Sequence, residues 1–321
     1  MSWANQQNWR RRMSDRAQGE PLKVAVIGLG SMGFGMAESL LRAGFDVAGF
    51  DITDAARERL RSAGGTSGGS PIEVATGASV VVSVVVNARQ TDEILFGDAG
   101  AIGGMPAGSV FISSATMSPT DAENLAAKAK ERGVFFLDAP ISGGAKRAAA
   151  GELTIMASGE PEAFLKSEGV LSALAQKVYR LGDRAGIGAS VKMINQLLAG
   201  VHIAAACEAI TLASKLGLDL RTVYEVITAS AGNSWMFENR IPHVLDGDYR
   251  PLSSIEIFVK DLGIIQDMAR SERYPAPIAA AALQMYLAAA GAGMGRDDDS
   301  SVARVYAQLS GAALPPSSVD L

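Results

Sequence analysis

One cysteine, Cys207, stands in 321 residues, so no internal disulfide can form and a reducing compartment is expected. Two histidines beside it leave too few soft ligands for a zinc centre, and no metal is expected. No block of like charge appears among 29 basic and 34 acidic side chains. With a net charge of −5, that argues against a nucleic-acid or anionic-membrane partner. A secretory signal is also lacking. Residues 1–20 are polar, carry Arg10, Arg11, Arg12 and Arg16, and contain no apolar centre. They read as a disordered or over-extended tail, with Met13 as a second start; organelle targeting is the other reading. One uncharged stretch, residues 274–295, is long enough to span a bilayer. It is mostly Ala and Gly, opens on Pro275 and Pro277, and has Gln284 near its centre, so it predicts a buried helix in a soluble, cytoplasmic protein.

What is present is a core-forming chain, 48% apolar and 20% charged, long enough for two domains. Short Val/Ile runs alternate with helical stretches between residues 22 and 184. Residues 23–28 (KVAVIG), 46–51 (DVAGFD), 80–86, 109–113 and 135–139 predict strands, with edge strands at 154–158 and 178–181. Such alternation implies an α/β, Rossmann-type doubly wound parallel sheet. Beyond Gly188 the strand signal stops. Val191, Ile194, Leu198, Val201, Ala205, Ala209, Leu212 and Leu216 recur with a helical period, predicting one long helix whose apolar stripe packs. Residues 21–184 are therefore expected to form the dinucleotide-binding domain. Residues 185–311 should form an all-α substrate and oligomerisation domain, followed by a frayed tail at 312–321.

The first predicted strand runs into Gly28-Leu29-Gly30-Ser31-Met32-Gly33, a G-x-G-x-x-G that opens a helix. Gly28 permits the tight turn, Gly30 lets backbone approach a pyrophosphate, and Gly33 lets helix and strand pack closely. The free N–H groups of the helix start complete an anion site. Asp51, 23 residues after Gly28 at the end of the second predicted strand, suits an adenosine ribose and repels a 2′-phosphate. NAD is the expected cofactor. Asp54 reads as a helix cap.

Alcohol oxidation needs a base. No tyrosine has a lysine four residues on, which removes the Tyr-x-x-x-Lys pair. His202 reads as a packed or capping residue, and His243, after Pro242, as a surface loop. Lys192, at the first turn of the long helix, shares a face with Asn195 and Gln196, offset from the apolar stripe. The helix dipole and desolvation would both lower its pKa. Standing alone, it could equally be an ordinary helix-start lysine.

Four motifs in order bear on that choice: the Gly28–Gly33 loop with Met36-Ala37, Asp138-Ala139-Pro140-x-Ser142-Gly143-Gly144, the Lys192/Asn195 segment, and Lys260-Asp261-Leu262. Together they resemble the β-hydroxyacid dehydrogenases, the family of 3-hydroxyisobutyrate dehydrogenase and tartronate semialdehyde reductase, over residues 22–308. Ser39 departs from the asparagine usual there. The resemblance implies Lys192 as catalytic lysine and Asn195 as a substrate contact. It also implies Ser142, Gly143 and Gly144 as a nest for the substrate carboxylate. Met32, Asn87 and Thr116 would line the nicotinamide ribose, and Lys260 would close over the cofactor; an ion pair with a nearby acid is the other reading of Lys260. Further runs at 196–205 and 231–240 narrow the resemblance to a branch acting on a sugar acid, for which Asn233 and Ser234 offer polar groups. Trp235 and Phe237 read as core, and the Asp297–Asp299 cluster as a cap at Ser300 or Asp299. The expected partner is thus a small sugar acid, in a homodimer or homotetramer. Other short hydroxy acids, or a non-catalytic NAD-binding protein, are the alternatives.

Overall fold

A computed structural model describes residues 21–316. The chain divides into two compact units, one ending at Lys192 and the other beginning at Met193. The tail expected at residues 1–20 lies outside the described residues, as do residues 317–321.

Among the described residues the first unit holds nine strands: β1 (Lys23–Ile27), β2 (Asp46–Phe50), β3 (Thr66–Ser67), β4 (Val80–Ser83), β5 (Val110–Ser113), β6 (Phe135–Asp138), β7 (Ile141–Ser142), β8 (Leu153–Ser158) and β9 (Ala175–Gly182). They form one sheet in the order β3-β2-β1-β4-β5-β6-β8-β7, with β9 also paired to β8. The Val24–Ile27 run of β1 is buried throughout, because helices cover both faces of a parallel sheet. β1 pairs in parallel with both β2 and β4, so the strand order reverses there. The crevice beyond their carboxyl ends is where such folds bind nucleotides. This is the doubly wound Rossmann sheet that the alternating pattern predicts. The run at 80–86 is shorter than expected, leaving the sheet after Ser83. The two-residue strands β3 and β7 are too short to leave a pattern in the sequence. Ser142, expected in a turn, pairs with Thr154 in β7.

Among the described residues seven α-helices join these strands, α1 (Ser31–Arg42), α2 (Asp54–Ser62), α3 (Pro71–Ala75), α4 (Ala88–Phe96), α5 (Pro119–Glu131), α6 (Gly144–Ala150) and α7 (Pro161–Leu174), and α8 (Ile187–Lys215) follows β9. Ser39 does a packing job: its hydroxyl donates to the Ala173 carbonyl at 2.8 Å and ties α1 to α7. Gly35 lets α1 meet α6, since a Cβ there would lie 2.7 Å from the Ala149 nitrogen.

The second unit takes most of the 29-residue α8 and adds α9 (Leu220–Thr228), α10 (Trp235–Asp246), α11 (Ile255–Ser271), α12 (Pro277–Ala289) and α13 (Val302–Ser310). Its described residues hold no strand, only helices and an isolated bridge between Ser254 and Asp298. Met193, Ile203, Cys207 and Ile210 of α8 enter its core beside Ile241, Phe258 and Tyr286. At Gly200 the contact is closest: a Cβ would lie 2.9 Å from the Phe258 ring, and the Tyr286 hydroxyl donates to the Gly200 carbonyl.

Several expectations are corrected here. The packed face of α8 is not the predicted stripe. Val191, Ile194, Leu198, Leu212 and Leu216 are exposed, and the opposite face is buried. The helix is apolar on both sides, with Met193, Gly200, Ile203, Cys207 and Ile210 spaced as regularly, so periodicity could not choose between them. Residues 274–295 form α12 and a π-helical extension at Ala290–Met294, buried along one stripe only, at Ala279, Ala282, Tyr286 and Ala289. By length and composition both α8 and α12 with its extension are able to cross a membrane; here each sends one face into the helical core. Trp235 is 58% exposed, whereas Phe237 is core.

His243 lies inside α10, not in a loop, its Nδ1 2.9 Å from the Asp248 carbonyl. Pro242 is also inside that helix and cannot donate to Glu238, four residues back. The Tyr224 hydroxyl bonds the Glu238 carbonyl instead, at 3.1 Å. In the acidic cluster the cap is Asp298, which accepts from the Ser300 amide. Asp299 forms a buried two-point pair with Arg240, Nε–Oδ1 2.6 Å and Nη2–Oδ2 3.3 Å. No group of histidine, cysteine and carboxylates able to hold a metal occurs among the described residues. The expected C-terminal tail is ordered at its start: Leu314 packs on the helical core and the Ser214 hydroxyl donates to the Ala313 carbonyl.

Candidate active site

The turn from β1 into α1 is built by steric demand. Gly28 has φ +92°, and a Cβ on it would sit 2.6 Å from the Val84 carbonyl oxygen. One on Gly33 would sit 1.8 Å from the Gly28 carbonyl oxygen. Gly30 differs, since nothing lies within 4 Å of where its Cβ would be. Two glycines are thus closed by protein, and the third opens on space in front of the helix start. That start has no side-chain cap and no acid in its first turn, which includes Ser31 and Met32. Its amides and positive dipole end are available to an anion, so the turn fits a pyrophosphate.

Asp51 stands at the end of β2, its Oδ2 accepting from the Leu29 amide at 2.8 Å and its Oδ1 from the Thr53 amide and hydroxyl at 2.9 Å. Burial raises its pKa, yet these bonds and the charge of Arg57 together outweigh burial and hold it below the usual carboxylate range. An ionised acid is thereby fixed beside the loop. Arg57 donates to the Asp51 carbonyl and pairs with Asp54. Asp54 is the first residue of α2, not its cap, and Thr53 precedes it. Arg59 stacks 3.8 Å from the Phe34 ring centroid and donates to the Leu29 carbonyl.

Replacing Asp51 by Ala removes a charged acceptor, worth about 1.5–3 kcal/mol per hydrogen bond. The KM for NAD should rise about 10–100-fold, with a smaller rise for NADP. Equal losses for the two cofactors in steady-state kinetics would sink the ribose assignment.

Asn87 follows β4, which flanks the switch point, and Thr116 follows β5, the strand next to it. The Asn87 Oδ1 caps α4 through the Gln90 amide at 2.9 Å. Thr116 is half-buried, and Ser118, not Thr116, caps α5. Gly143 and Gly144, both with positive φ (138° and 77°), turn the chain from β7 into α6 and can present successive amides to a carboxylate.

Lys192 is 7% exposed, and its Nζ donates to the Ile141 carbonyl at 2.9 Å, one residue before Ser142. The predicted base and the predicted nest are therefore brought together within the first unit. Asp138, whose role sequence reasoning missed, holds this arrangement. Its Oδ2 accepts from the Gly186 and Ala189 amides at 2.9 and 2.8 Å, and the Gly188 amide donates to Ser158 at 2.8 Å. These bonds pin the first turn of α8, and with it Lys192, to β6 and β8. Burial pushes the Asp138 carboxyl up to about 6, against the amides that favour its charged form. Gly188 is as constrained, since a Cβ would lie 2.5 Å from the Met156 carbonyl oxygen. The available signal was a lone acid ending the apolar strand Phe135–Asp138.

In the second unit Asn195 donates to Gln196 at 3.0 Å, and Gln196 donates to the buried Asp261 at 2.6 Å. Lys260 pairs with the other oxygen of Asp261 at 2.7 Å. Asn195 and Lys260 thus belong to one polar chain, through two residues given no role from sequence. Asn233 is outside it. Its amide bonds the Thr228 carbonyl and Glu238, and the Ser234 hydroxyl caps α10.

A glycine turn open to an anion, an ionised acid fixed beside it and a buried lysine next to a second glycine turn are the parts that a nicotinamide-dependent dehydrogenase requires. Comparison with known proteins gives the same class. Residues 23–182 match the family described as the NAD binding domain of 6-phosphogluconate dehydrogenase. Residues 186–306 match that described as NAD-binding of NADP-dependent 3-hydroxyisobutyrate dehydrogenase. The L-threonate dehydrogenase of Cupriavidus necator is 54% identical, covering 88% of this chain and 95% of that protein. That of Pectobacterium atrosepticum is 50% identical over 88% and 93%. The crystal structure of 3-hydroxyisobutyrate dehydrogenase from Salmonella typhimurium superposes with a TM-score of 0.85 at 47% identity, covering 88% of this chain and 99% of that one. The chain belongs to the 3-hydroxyisobutyrate, or β-hydroxyacid, dehydrogenase family and is an NAD-dependent oxidoreductase.

Proposed function

We propose that this chain oxidises L-threonate at C2 to 2-dehydro-L-erythronate, with Lys192 as the base. The observation that carries the reading is the buried Lys192 amine held on the Ile141 carbonyl at the entrance to the Ser142–Gly144 turn. Bound NAD supplies the hydride acceptor. The amides of the turn hold the substrate carboxylate, and Asn195 positions the reacting oxygen. The lysine takes the hydroxyl proton. Oxidation at C2 gives an α-keto acid that keeps its carboxylate. Oxidation at C3 would give a β-keto acid prone to lose CO2.

The substrate follows the relatives named L-threonate dehydrogenase at 54% and 50% identity. A second reading, 3-hydroxyisobutyrate, is favoured by the name of the Salmonella structure at 47% identity and by the engagement of Asn233 and Ser234 within the fold. Tartronate semialdehyde or D-glycerate would use the same machinery. The same proposal has the chain in the cytoplasm, as a homo-oligomer.

NADH formation should be measured with L-threonate, D-threonate, D-erythronate, D-glycerate and 3-hydroxyisobutyrate, each with NAD and NADP. The expected result is the highest kcat/KM for L-threonate with NAD, and a C2 ketone by product analysis. Preference for 3-hydroxyisobutyrate overturns the substrate, and a C3 product overturns the regiochemistry. No turnover on any acid while NADH still binds overturns the assignment altogether.

A further inference from the structure

Leu29, between Gly28 and Gly30, is held at both of its backbone groups. Its side chain is fully buried over Gly49. Its amide donates to Asp51 Oδ2 at 2.8 Å, and its carbonyl accepts from Nη2 of Arg59 at 2.9 Å. The Arg59 guanidinium also lies 3.8 Å from the centroid of the Phe34 ring. The Phe34 amide in turn donates to the Gly30 carbonyl at 2.9 Å, closing the first turn of α1. From α2, Arg59 thus grips the chain just before Gly30 and again four residues after it. An exposed arginine left to itself spreads into water, and fixing one costs rotamer entropy. Two such contacts on one exposed side chain call for a reason.

We propose that Arg59 is a positioning residue for the cofactor: it clamps the Leu29–Gly30 peptide and so fixes the amides that meet the pyrophosphate. Packing cannot do this alone. Gly28 and Gly33 are confined by neighbouring backbone, but among the described residues nothing lies within 4 Å of where a Gly30 Cβ would be. A glycine in open space restricts its own backbone little. The carbonyl and N–H of a trans peptide point opposite ways, so drawing the Leu29 carbonyl to Arg59 turns the Gly30 N–H away from α2. The stacked Phe34 ring holds the far side of the same turn. Donors already aimed spare the ordering cost that binding would otherwise carry. A guanidinium suits the task, since its planar fork donates to a carbonyl while its face lies on a ring, whereas an ammonium has no flat face to stack. This role rests on the Gly28–Gly33 turn receiving a pyrophosphate, and it is independent of which hydroxy acid is oxidised.

The test titrates the full chain with NADH by fluorescence and uses ADP and adenosine as competitors. Arg59→Met should raise the Kd for NADH roughly tenfold, and the KM for NAD with it, while kcat stays near wild type. ADP should weaken by the same factor and adenosine hardly at all, since adenosine carries no phosphate. Arg59→Lys should bind as poorly as Arg59→Met. Phe34→Leu should cost about threefold alone and nothing further on top of Arg59→Met, because the two side chains act as one unit. Circular dichroism and thermal melting of each variant keep loss of fold distinct from loss of binding. NADH affinity within about twofold of wild type in Arg59→Met overturns the proposal. Full recovery in Arg59→Lys does so too, because a charge and not a clamp would then be acting. Equal losses for adenosine and ADP would make the effect one of general packing. A larger loss for NADP than for NAD would put Arg59 on a ribose phosphate instead. Gly30→Val, which fills the space in front of α1, tests the underlying reading separately: undiminished NADH binding there would remove the pyrophosphate from this turn, whatever Arg59 does.

Discussion

Lys192→Ala is expected to lower kcat by about 10²–10⁴-fold, the contribution of a positioned general base, while NADH binding remains nearly unchanged. The cofactor loop is held by Asp51 and by the glycine packing between β1 and α1, neither of which touches Lys192. Only the proton-transfer step should therefore suffer. Lys192→Arg separates chemistry from packing. Arginine keeps the charge and a donor for the Ile141 carbonyl but cannot give up its proton at any accessible pH. It should be as inactive as the alanine variant while folding normally. Stopped-flow or steady-state NADH formation, alongside a fluorescence titration of NADH, gives both readings. Turnover within a few-fold of wild type in either variant removes Lys192 from the mechanism.

The second large effect is on stability. Arg240 and Asp299 form a nearly solvent-free ion pair, with side-chain exposures of 8% and 0%. Breaking such a pair by removing one partner leaves a buried charge without compensation, at a cost of about 3–5 kcal/mol. Arg240→Leu should lower the urea midpoint by that free energy divided by the slope, with the slope itself unchanged. Arg240→Leu combined with Asp299→Leu should recover much of the loss, because the desolvation penalty disappears together with the attraction. If the double variant is as unstable as the single one, uncompensated charge is not the cause, and lost packing between α10 and the turn at Asp299–Ser301 becomes the explanation.

How far the sequence could be read depended on what kind of constraint each residue answers. The Gly28–Gly33 turn was legible because each glycine meets a local steric demand, visible in the 1.8 and 2.6 Å approaches that a side chain would create. Asp51 was legible for the same reason, its position in the first βαβ unit being fixed by chain connectivity. The packed face of α8 was not. Two apolar seams on opposite sides of a helix give equivalent periodicities, and only the neighbours at Phe258, Leu262 and Tyr286 decide between them. Nor was the placement of Pro242 within α10, since the hydroxyl that rescues the orphaned Glu238 carbonyl comes from Tyr224, on another helix. At the site, the Lys192 amine lies on the Ile141 carbonyl, next to the Ser142–Gly144 turn. Asp138, Gln196 and Asp261 act through contacts 48 to 65 residues away, beyond the reach of local pattern.

The Asp51 carboxylate faces two ways. One oxygen is tied to the Leu29 amide inside the glycine turn, so the group proposed to discriminate between cofactors also braces the backbone proposed to receive them. Evolving or engineering a preference for NADP here is therefore not a one-residue exchange. Removing the acid to admit a phosphate strands the Leu29 amide and loosens the turn for either nucleotide. A switched enzyme would need a compensating acceptor for that amide, in place before or together with the change at position 51. Selection on cofactor choice alone, one substitution at a time, would first have to cross a form that binds both cofactors poorly.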